Sequence, residues 1–178
     1  STSGAGKAPM DELLEQTKLS LENKKIVSKN FTKQIAFNAI PHIDTFVDEG
    51  YTKEELKMVN ETKKILDKNI EITATCVRIP VLVSHAESIN IEFENEFTIE
   101  KIRNALNSAE GCEVIDERKD GGYITPLEAE GKNETFISRI RKDNSNNKAV
   151  NLWCVSDNLL RGAALNAVEI AEAYIKNK

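Results

Sequence analysis

Apolar residues recur at helical spacing in four segments of the chain. Pro9 suits the first turn of the earliest segment, and Thr52 with Glu55 three residues later has the spacing of a capping box before the second. Asp157 is a suitable N-cap for the last segment, which carries a long apolar stripe. The pattern predicts helices over about 8–22, 53–68, 98–110 and 157–178.

Runs rich in β-branched and aromatic residues predict strands between these helices. The segment 33–44 is strand-like up to Pro41, whose missing N–H and fixed φ end regular pairing. Further runs occupy 70–80, 81–93 and 112–116, and the runs at 135–143 and 148–156 are joined by the polar residues "NSNN", which predicts a hairpin. This order of elements is consistent with an α+β or an α/β sheet covered by helices.

Net charge and hydropathy indicate which kinds of binding partner to expect. The chain has 178 residues, enough to bury a core in one domain or a little more, and a formal net charge of −5 without a basic stripe. Nucleic acid is therefore not an expected partner. No apolar run approaches membrane-spanning length, so no membrane association is expected either.

The termini and the cysteines indicate the compartment. The first ten residues lack the basic and apolar regions of a signal peptide, and the chain does not begin with Met, so its start is interpreted as internal to a longer protein. Cys76, Cys112 and Cys154 lie far apart without CxxC spacing, which indicates neither a zinc site nor a disulfide framework. A cytoplasmic location is the expectation.

The stretch "CVRIPVLVSH", from Cys76 to His85, places two polar side chains in an apolar run. Arg78 and His85 are an odd number of residues apart, so on one unbroken strand they would face opposite sides. Pro80 permits a bend that aims both at one site, where Arg can bind a carboxylate or phosphate and His can transfer a proton. From spacing alone, a surface ion pair for Arg78 and a loop cap for His85 are favoured by about two to one.

Two further motifs allow a functional and a plain structural interpretation. Glu54 and Lys57 share a helix face and could bind an ammonium group and an anion, or form an intrahelical ion pair worth roughly 0.3 kcal/mol. The "SGAG" run at Ser3 to Gly6 could approach a phosphate at a helix N-terminus, or be an ordinary loop. No nucleotide-binding loop or nucleophile elbow motif is present, and two distant histidines predict no metal site.

A set of segments in chain order resembles a known family. "SGAGKAPMDEL", "IPHID", "YTKEELKMVNETKKIL", "ATCVRIPVLVSHAESI", "FISRIRKD" and "LWCVSDNLLRGAALNAVEIAE" resemble the carboxyl-terminal half of bacterial aspartate-semialdehyde dehydrogenase. The resemblance covers essentially the whole chain and is most specific from Cys76 to Glu87. It implies an α+β fold with a mixed, largely antiparallel sheet and helices packed on one face, like the carboxyl-terminal domain of glyceraldehyde-3-phosphate dehydrogenase.

The resemblance also implies an activity and its residues. The family uses NADPH to reduce and dephosphorylate β-aspartyl phosphate to aspartate semialdehyde and phosphate, on the route to lysine, methionine and threonine. By match, His85 is the acid/base residue, and Arg78 clamps the substrate carboxylate. Glu54 matches the acid near the substrate amino group, and Lys57 matches the base near the carboxylate or phosphate.

Three matched residues belong to the cofactor side. Ser3 and Gly4 match a loop that borders NADP, and Asn158 lies in the tail motif near the nicotinamide. The resemblance further implies a homodimer formed through this domain, with residues 1–156 as the dimerisation and substrate-binding domain. Residues 157–178 would form a terminal helix that packs on the nucleotide-binding domain.

The family pattern is incomplete in this sequence. Its nucleophilic cysteine belongs to an asparagine-cysteine motif, and none of the three cysteines here lies in one, so Cys76 and Cys154 are interpreted as buried strand thiols. The substrate-orienting glutamine would precede Ser1, and the nucleotide-binding domain is not represented. The chain alone is therefore expected to be inactive. A related acyl-phosphate or acyl-CoA reductase and a non-catalytic assembly or regulatory module are the alternatives.

Overall fold

A computed structural model describes residues 1–177, which divide into two compact units. The first unit comprises Thr2 and residues 4–80, and the second comprises Ser1, Ser3 and the chain from Val81 onward. The predicted boundary at residues 156 and 157 stays a prediction. Within the described part of the chain, no helix has the length and apolar character needed to cross a membrane.

The first unit is built on two helices and contains no regular strand among its described residues. Helix α1 spans Lys7–Leu21 and helix α2 spans Lys53–Ile65, close to the predicted bounds, and 3₁₀ turns occur at Ser3–Ala5 and Asp48–Gly50. The capping box predicted for α2 is confirmed, because Thr52 Oγ1 accepts from Glu55 N at 3.3 Å while Glu55 Oε2 accepts from Thr52 N at 2.9 Å.

The strands predicted at 33–44 and 70–80 are wrong. These two segments meet at a single antiparallel bridge between Ile40 and Arg78. The buried backbone of the first segment is bonded elsewhere, since Gln16 Oε1 accepts from Ile35 N at 2.9 Å and from Ala36 N at 3.3 Å. A side chain of α1 thus takes the donors that a neighbouring strand would have used.

The second unit is a four-stranded sheet with the order β1-β4-β3-β2. Its strands are β1 (His85–Glu92), β2 (Cys112–Val114), β3 (Thr135–Lys142) and β4 (Ala149–Ser156). β4 pairs antiparallel with both β1 and β3, whereas β2 pairs parallel with β3. The predicted α+β class, the mixed and largely antiparallel sheet, and the β3–β4 hairpin are confirmed. The predicted strand at 81–93 is shorter than expected, because regular pairing begins only at His85.

Two helices pack on this sheet, and two further helical segments come after it along the chain. Helix α3 (Ile99–Ser108), capped by Thr98, packs its apolar stripe over a cluster that includes Ile137, Ile140, Val150 and Leu152. The short helix α4 (Pro126–Ala129), which the sequence analysis did not predict, places Ala129 against Phe136 and Val155. The helix predicted at 157–178 is present as a π-helical turn (Leu160–Ala164) and helix α5 (Leu165–Lys176), and Lys178 lies outside the described residues.

The predicted cap of this last helical segment is confirmed. Asp157 is buried, and its Oδ1 accepts from Leu159 N at 2.8 Å and from Leu160 N at 3.2 Å. The apolar side chains of α5 are largely exposed, with Val168 at 55% and Ile175 at 72%. Arg161 connects the segment to the rest of the second unit, because its Nε donates to Asn133 O at 2.8 Å.

A β-bulge in β3 determines which side chains reach the core. The pairing with β4 shifts between Ser138 and Arg141, and Arg139 has a left-handed φ of 57°. The extra residue turns Ile140 toward the cluster under α3. Asp116 holds the bulge, since its carboxylate accepts from Arg139 N at 2.6 Å and Ile140 N at 3.2 Å and also pairs with the guanidinium of Arg103.

We expect Asp116→Ala to destabilise the chain by about 2–4 kcal/mol, because it leaves two backbone donors and a partly buried guanidinium without their acceptor. Urea denaturation followed by circular dichroism measures this change. Asp120→Ala, at an exposed position in the following turn, is the matched control and should change the free energy of unfolding by less than about 0.5 kcal/mol. Similar small effects of both variants would contradict the role given to Asp116.

Candidate active site

The residues singled out from the sequence fall into two groups, one in each unit. Gly4, Glu54, Lys57 and Arg78 belong to the first unit, whereas Ser3, His85 and Asn158 belong to the second. We call the first group the charged cluster and the second the histidine group. The bend expected after Arg78 is present, with bends at Pro80, Leu82 and Val83 and a left-handed Ser84 at φ 77°. The convergence of Arg78 and His85 on one substrate stays a prediction.

In the charged cluster, the carboxylate of Glu54 bonds to Lys57 and attracts Arg78. Lys57 Nζ donates to Glu54 Oε1 at 2.9 Å and to Oε2 at 3.0 Å, and this hydrogen bonding raises the pKa of Lys57. Glu54 also attracts the guanidinium of Arg78, although burial is the larger influence and lowers the pKa of Arg78. The intrahelical ion pair expected on structural grounds is therefore present, whereas the substrate roles implied by the resemblance stay predictions.

Gly4 leaves room for the guanidinium of Arg78. A Cβ built on Gly4 would lie 3.2 Å from Arg78 Nη1, which is a tight contact. A side chain at this position would press on the guanidinium, so the absence of one helps to determine where Arg78 lies. Gly4 thus contributes to the charged cluster, and its matched place beside the cofactor stays a prediction.

Glu55 supports the charged cluster by accepting from two backbone N–H groups. The sequence predicted only one of these contacts, the helix cap. Its Oε2 closes the capping box of α2, while its Oε1 accepts from Cys76 N at 3.0 Å. Helix α2 carries Glu54 and Lys57, and Cys76 lies two residues before Arg78. One buried carboxylate therefore joins the two segments that bear the cluster. Local spacing indicated the cap but contained no signal for the bond to Cys76.

In the histidine group, a carboxylate holds the imidazole. His85 Nε2 lies 2.8 Å from Glu87 Oε1, on the strand β1, and the two side chains are 54% and 33% exposed. Residues two apart on a strand face the same side, so this pairing follows from the sequence once β1 is assigned. The sequence analysis nevertheless missed Glu87 as a partner of His85.

The two other members of the group contact each other directly. Ser3 Oγ donates to Asn158 Oδ1 at 2.9 Å, and Ser3 N donates to Leu82 O at 2.9 Å. The structure thus brings together two of the three residues matched to the cofactor side, although they lie 155 residues apart in the chain.

The cysteines offer no obvious nucleophile. Burial, with smaller effects of Glu87 and Cys112, raises the pKa of Cys154 to about 12, so its thiol stays protonated near neutral pH. Cys154 lies on β4 as expected, but Cys76 lies in an irregular segment, and both residues are half-buried and not fully buried as predicted. Within residues 1–177, no group of three or more His, Cys, Asp and Glu side chains is placed to hold a metal ion.

Comparison with known proteins identifies the family. The family model described as semialdehyde dehydrogenase, dimerisation domain, matches residues 1–161. This chain belongs to that family. The resemblance predicted from the sequence is confirmed at this level, and the matched residues include parts of both units up to Arg161.

Named relatives match nearly all of the chain. Aspartate-semialdehyde dehydrogenase of Aquifex aeolicus is 49% identical over 176 residues, which cover 98% of this chain and 52% of the relative. The enzyme of Campylobacter jejuni is 47% identical over 178 residues, covering 99% and 52%. The chain therefore spans about half the length of the curated relatives it matches.

Solved structures support the same assignment. The crystal structure of aspartate semialdehyde dehydrogenase II complexed with ASA from Vibrio cholerae has a TM-score of 0.94 and 43% sequence identity. The match covers 98% of this chain and 52% of that chain.

Because backbone N–H groups of Cys76 and Thr52 lower the pKa of Glu55, its stabilising effect is complete above the ordinary carboxyl pKa and is lost as the pH falls through the folded value. We expect Glu55→Gln to lower the melting temperature at about pH 7 and to have a much smaller effect near pH 3. Thermal melts at both pH values measure this difference. Glu61→Gln, at an exposed position of the same helix, is the control, and an equal effect of Glu55→Gln at both pH values would contradict the argument.

Proposed function

We propose that the chain is the carboxyl-terminal dimerisation and substrate-binding part of an NADPH-dependent aspartate-semialdehyde dehydrogenase, which forms aspartate semialdehyde and phosphate from β-aspartyl phosphate. The observation that carries the proposal is the 49% identity to a named enzyme along 98% of the chain. The grouping of Glu54, Lys57 and Arg78 supports it, because these are the residues to which the resemblance gives substrate roles.

The charges of the cluster suit an amino acid that carries an acyl phosphate. Arg78 offers a planar fork for a carboxylate, and its partial burial strengthens such a bond relative to one in water. Glu54 can accept from an ammonium group, while Lys57 can donate to the carboxylate or phosphate. A substrate with both charges would replace the Glu54–Lys57 ion pair with two ion pairs of its own. An acyl-CoA substrate would leave the amino-group acceptor unused.

His85 is proposed as the acid/base residue. Glu87 accepts at Nε2, which leaves Nδ1 or a re-oriented ring for the reacting group. The carboxylate orients the imidazole by accepting from Nε2, so the other ring nitrogen can exchange a proton as charge develops on the substrate. The nucleophilic cysteine would come from residues outside this sequence, so the chain alone should show no turnover.

NADP is the cofactor implied for the complete enzyme, where it supplies the hydride. The residues present are compatible with it, since Ser3 and Asn158 place a hydroxyl and an amide side by side, and an amide can bond a carboxamide. Ser84 Oγ is also buried and has no hydrogen-bond partner among the described residues. Ser3 and Asn158 would border the nicotinamide end, and Gly4 would let the backbone approach closely.

In the full-length protein, we expect Arg78→Lys to act mainly on KM, because an ammonium group cannot reproduce the two-pronged bond. His85→Ala should lower kcat by about 100-fold or more. NADPH formation from aspartate semialdehyde, phosphate and NADP measures both. Arg118→Lys, at an exposed arginine, is the matched control, and the 178-residue chain alone is the negative control. Equal, small effects of the two site variants would favour plain surface roles for Arg78 and His85.

We also propose that the chain forms a homodimer, as the family description suggests, and that its interface is the part of the sheet face opposite α3 that α4 leaves uncovered. Ser88 lies on that face with Trp153 beside it, whereas Ser108 is exposed at the end of α3. We expect dimer mass in light scattering at micromolar concentration, a shift toward monomer for Ser88→Arg, and no shift for Ser108→Arg. Monomer mass for the unchanged chain would reject the proposal.

A further inference from the structure

One side-chain oxygen joins three separate parts of the second unit. Asn158 Oδ1 accepts from Ser84 N at 2.9 Å, from Ser3 Oγ at 2.9 Å and from Ser1 Oγ at 3.5 Å. Ser84 immediately precedes His85. The amide of Asn158 is thus bonded to the backbone one residue before the proposed acid/base residue.

The orientation of this amide follows from its partner. A backbone N–H can only donate, so the atom that faces Ser84 N must be the oxygen and not the nitrogen of the Asn158 side chain. The NH₂ group then points away from Ser84 and can donate to another group. The two ends of one side chain are therefore available for two different tasks.

The backbone conformation of Ser84 costs free energy, so an acceptor that restrains its N–H helps to maintain it. Its φ of 77° lies in the left-handed region, which a residue with a Cβ seldom adopts, and it is only 1% exposed. Its own hydroxyl does not compensate, since Ser84 Oγ has no hydrogen-bond partner in the described part of the chain. Such a backbone conformation is retained only where contacts with the surrounding residues enforce it.

We infer that Asn158 is a positioning residue for His85, acting through the backbone N–H of Ser84. The left-handed turn at Ser84 sets the direction in which β1 starts, and His85 is the first residue of that strand. With the oxygen of Asn158 removed, Ser84 N loses its acceptor and the turn loses a restraint. The imidazole of His85 then samples more than one direction.

This inference deepens the proposed function, on which the importance of His85 rests, and it differs from the cofactor role of Asn158. A cofactor role uses the NH₂ end and requires a bound cofactor. The positioning role uses the oxygen and acts in the chain without any ligand. The two can therefore be separated by a measurement made with neither substrate nor cofactor present.

The experiment uses NMR on the 178-residue chain, in which His42 and His85 are the only histidines. They belong to different units, so His42 is an internal control for His85. In Asn158→Ala, we expect amide exchange of Ser84 to be about tenfold faster or more and the ring signals of His85 to shift and broaden. The ring signals of His42 should not change.

Two further variants complete the test. Asn158→Asp keeps an acceptor oxygen while it removes the NH₂ donor, so the Ser84 amide should stay protected. Ser84→Gly keeps the N–H and suits the left-handed φ, so the His85 signals should stay sharp. If Asn158→Ala does not fold, Asn158→Gln, which moves the amide by one methylene, is expected to show the same faster exchange. Unchanged Ser84 exchange and unchanged His85 signals in a folded Asn158→Ala or Asn158→Gln chain would overturn the inference, whatever the activity of the enzyme.

Discussion

The irregular backbone of this protein depends on buried or half-buried side-chain acceptors for its N–H groups. A buried N–H without an acceptor costs about 1–3 kcal/mol, so segments outside helices and sheets need partners of another kind. In the first unit these partners are Glu12, Gln16 and Glu55, which together accept from the backbone of three segments far from them in the sequence. In the second unit Asp116, Asp157 and Asn158 have the same role.

Most of these acceptors are carboxylates, and the hydrogen bonds that Glu12 and Glu55 accept lower their pKa values. Burial alone would raise the pKa of Glu12, but the N–H groups of Lys29 and Asn30 and the amide of Asn30 outweigh it, so the pKa is lowered. The charge of Glu12 is therefore compensated mainly by dipoles, with a smaller contribution from the positive charge of Lys29. Such a bond fixes a loop more firmly than a neutral acceptor would, because hydrogen bonds to charged groups are the stronger ones.

This dependence explains which parts of the fold the sequence predicts. Helices α1, α2 and α3 and the β3–β4 hairpin were predicted because their signals are local: the capping box at Thr52 and Glu55, the apolar spacing, and the polar turn between two β-rich runs. The segments 33–44 and 70–80 have the composition of strands, but Gln16 and Glu55 take their donors. No local pattern reveals that a glutamine 19 residues earlier will bond to Ile35.

The same limit applies to the candidate site. Arg78, His85, Glu54 and Lys57 could be singled out because their residue types and the family resemblance identify them directly. Glu87 could have been predicted, since two-residue spacing on a strand places it beside His85. Ser84 and Asn158 could not be linked in advance, because their bond joins residues 74 apart and depends on a left-handed conformation that serine rarely adopts.

Two consecutive glutamates on α2 differ in how firmly their carboxylates are held. Glu55 is buried, and its oxygens accept from two backbone N–H groups, so a ligand could displace it only by leaving those donors unpaired. Glu54 is partly exposed and pairs with a lysine that is about half exposed. An exposed ion pair contributes only about 0.3–0.5 kcal/mol, so a charged substrate can separate it at little cost. The helix thus presents one carboxylate that stays in place and, one residue before it, one that is available for exchange.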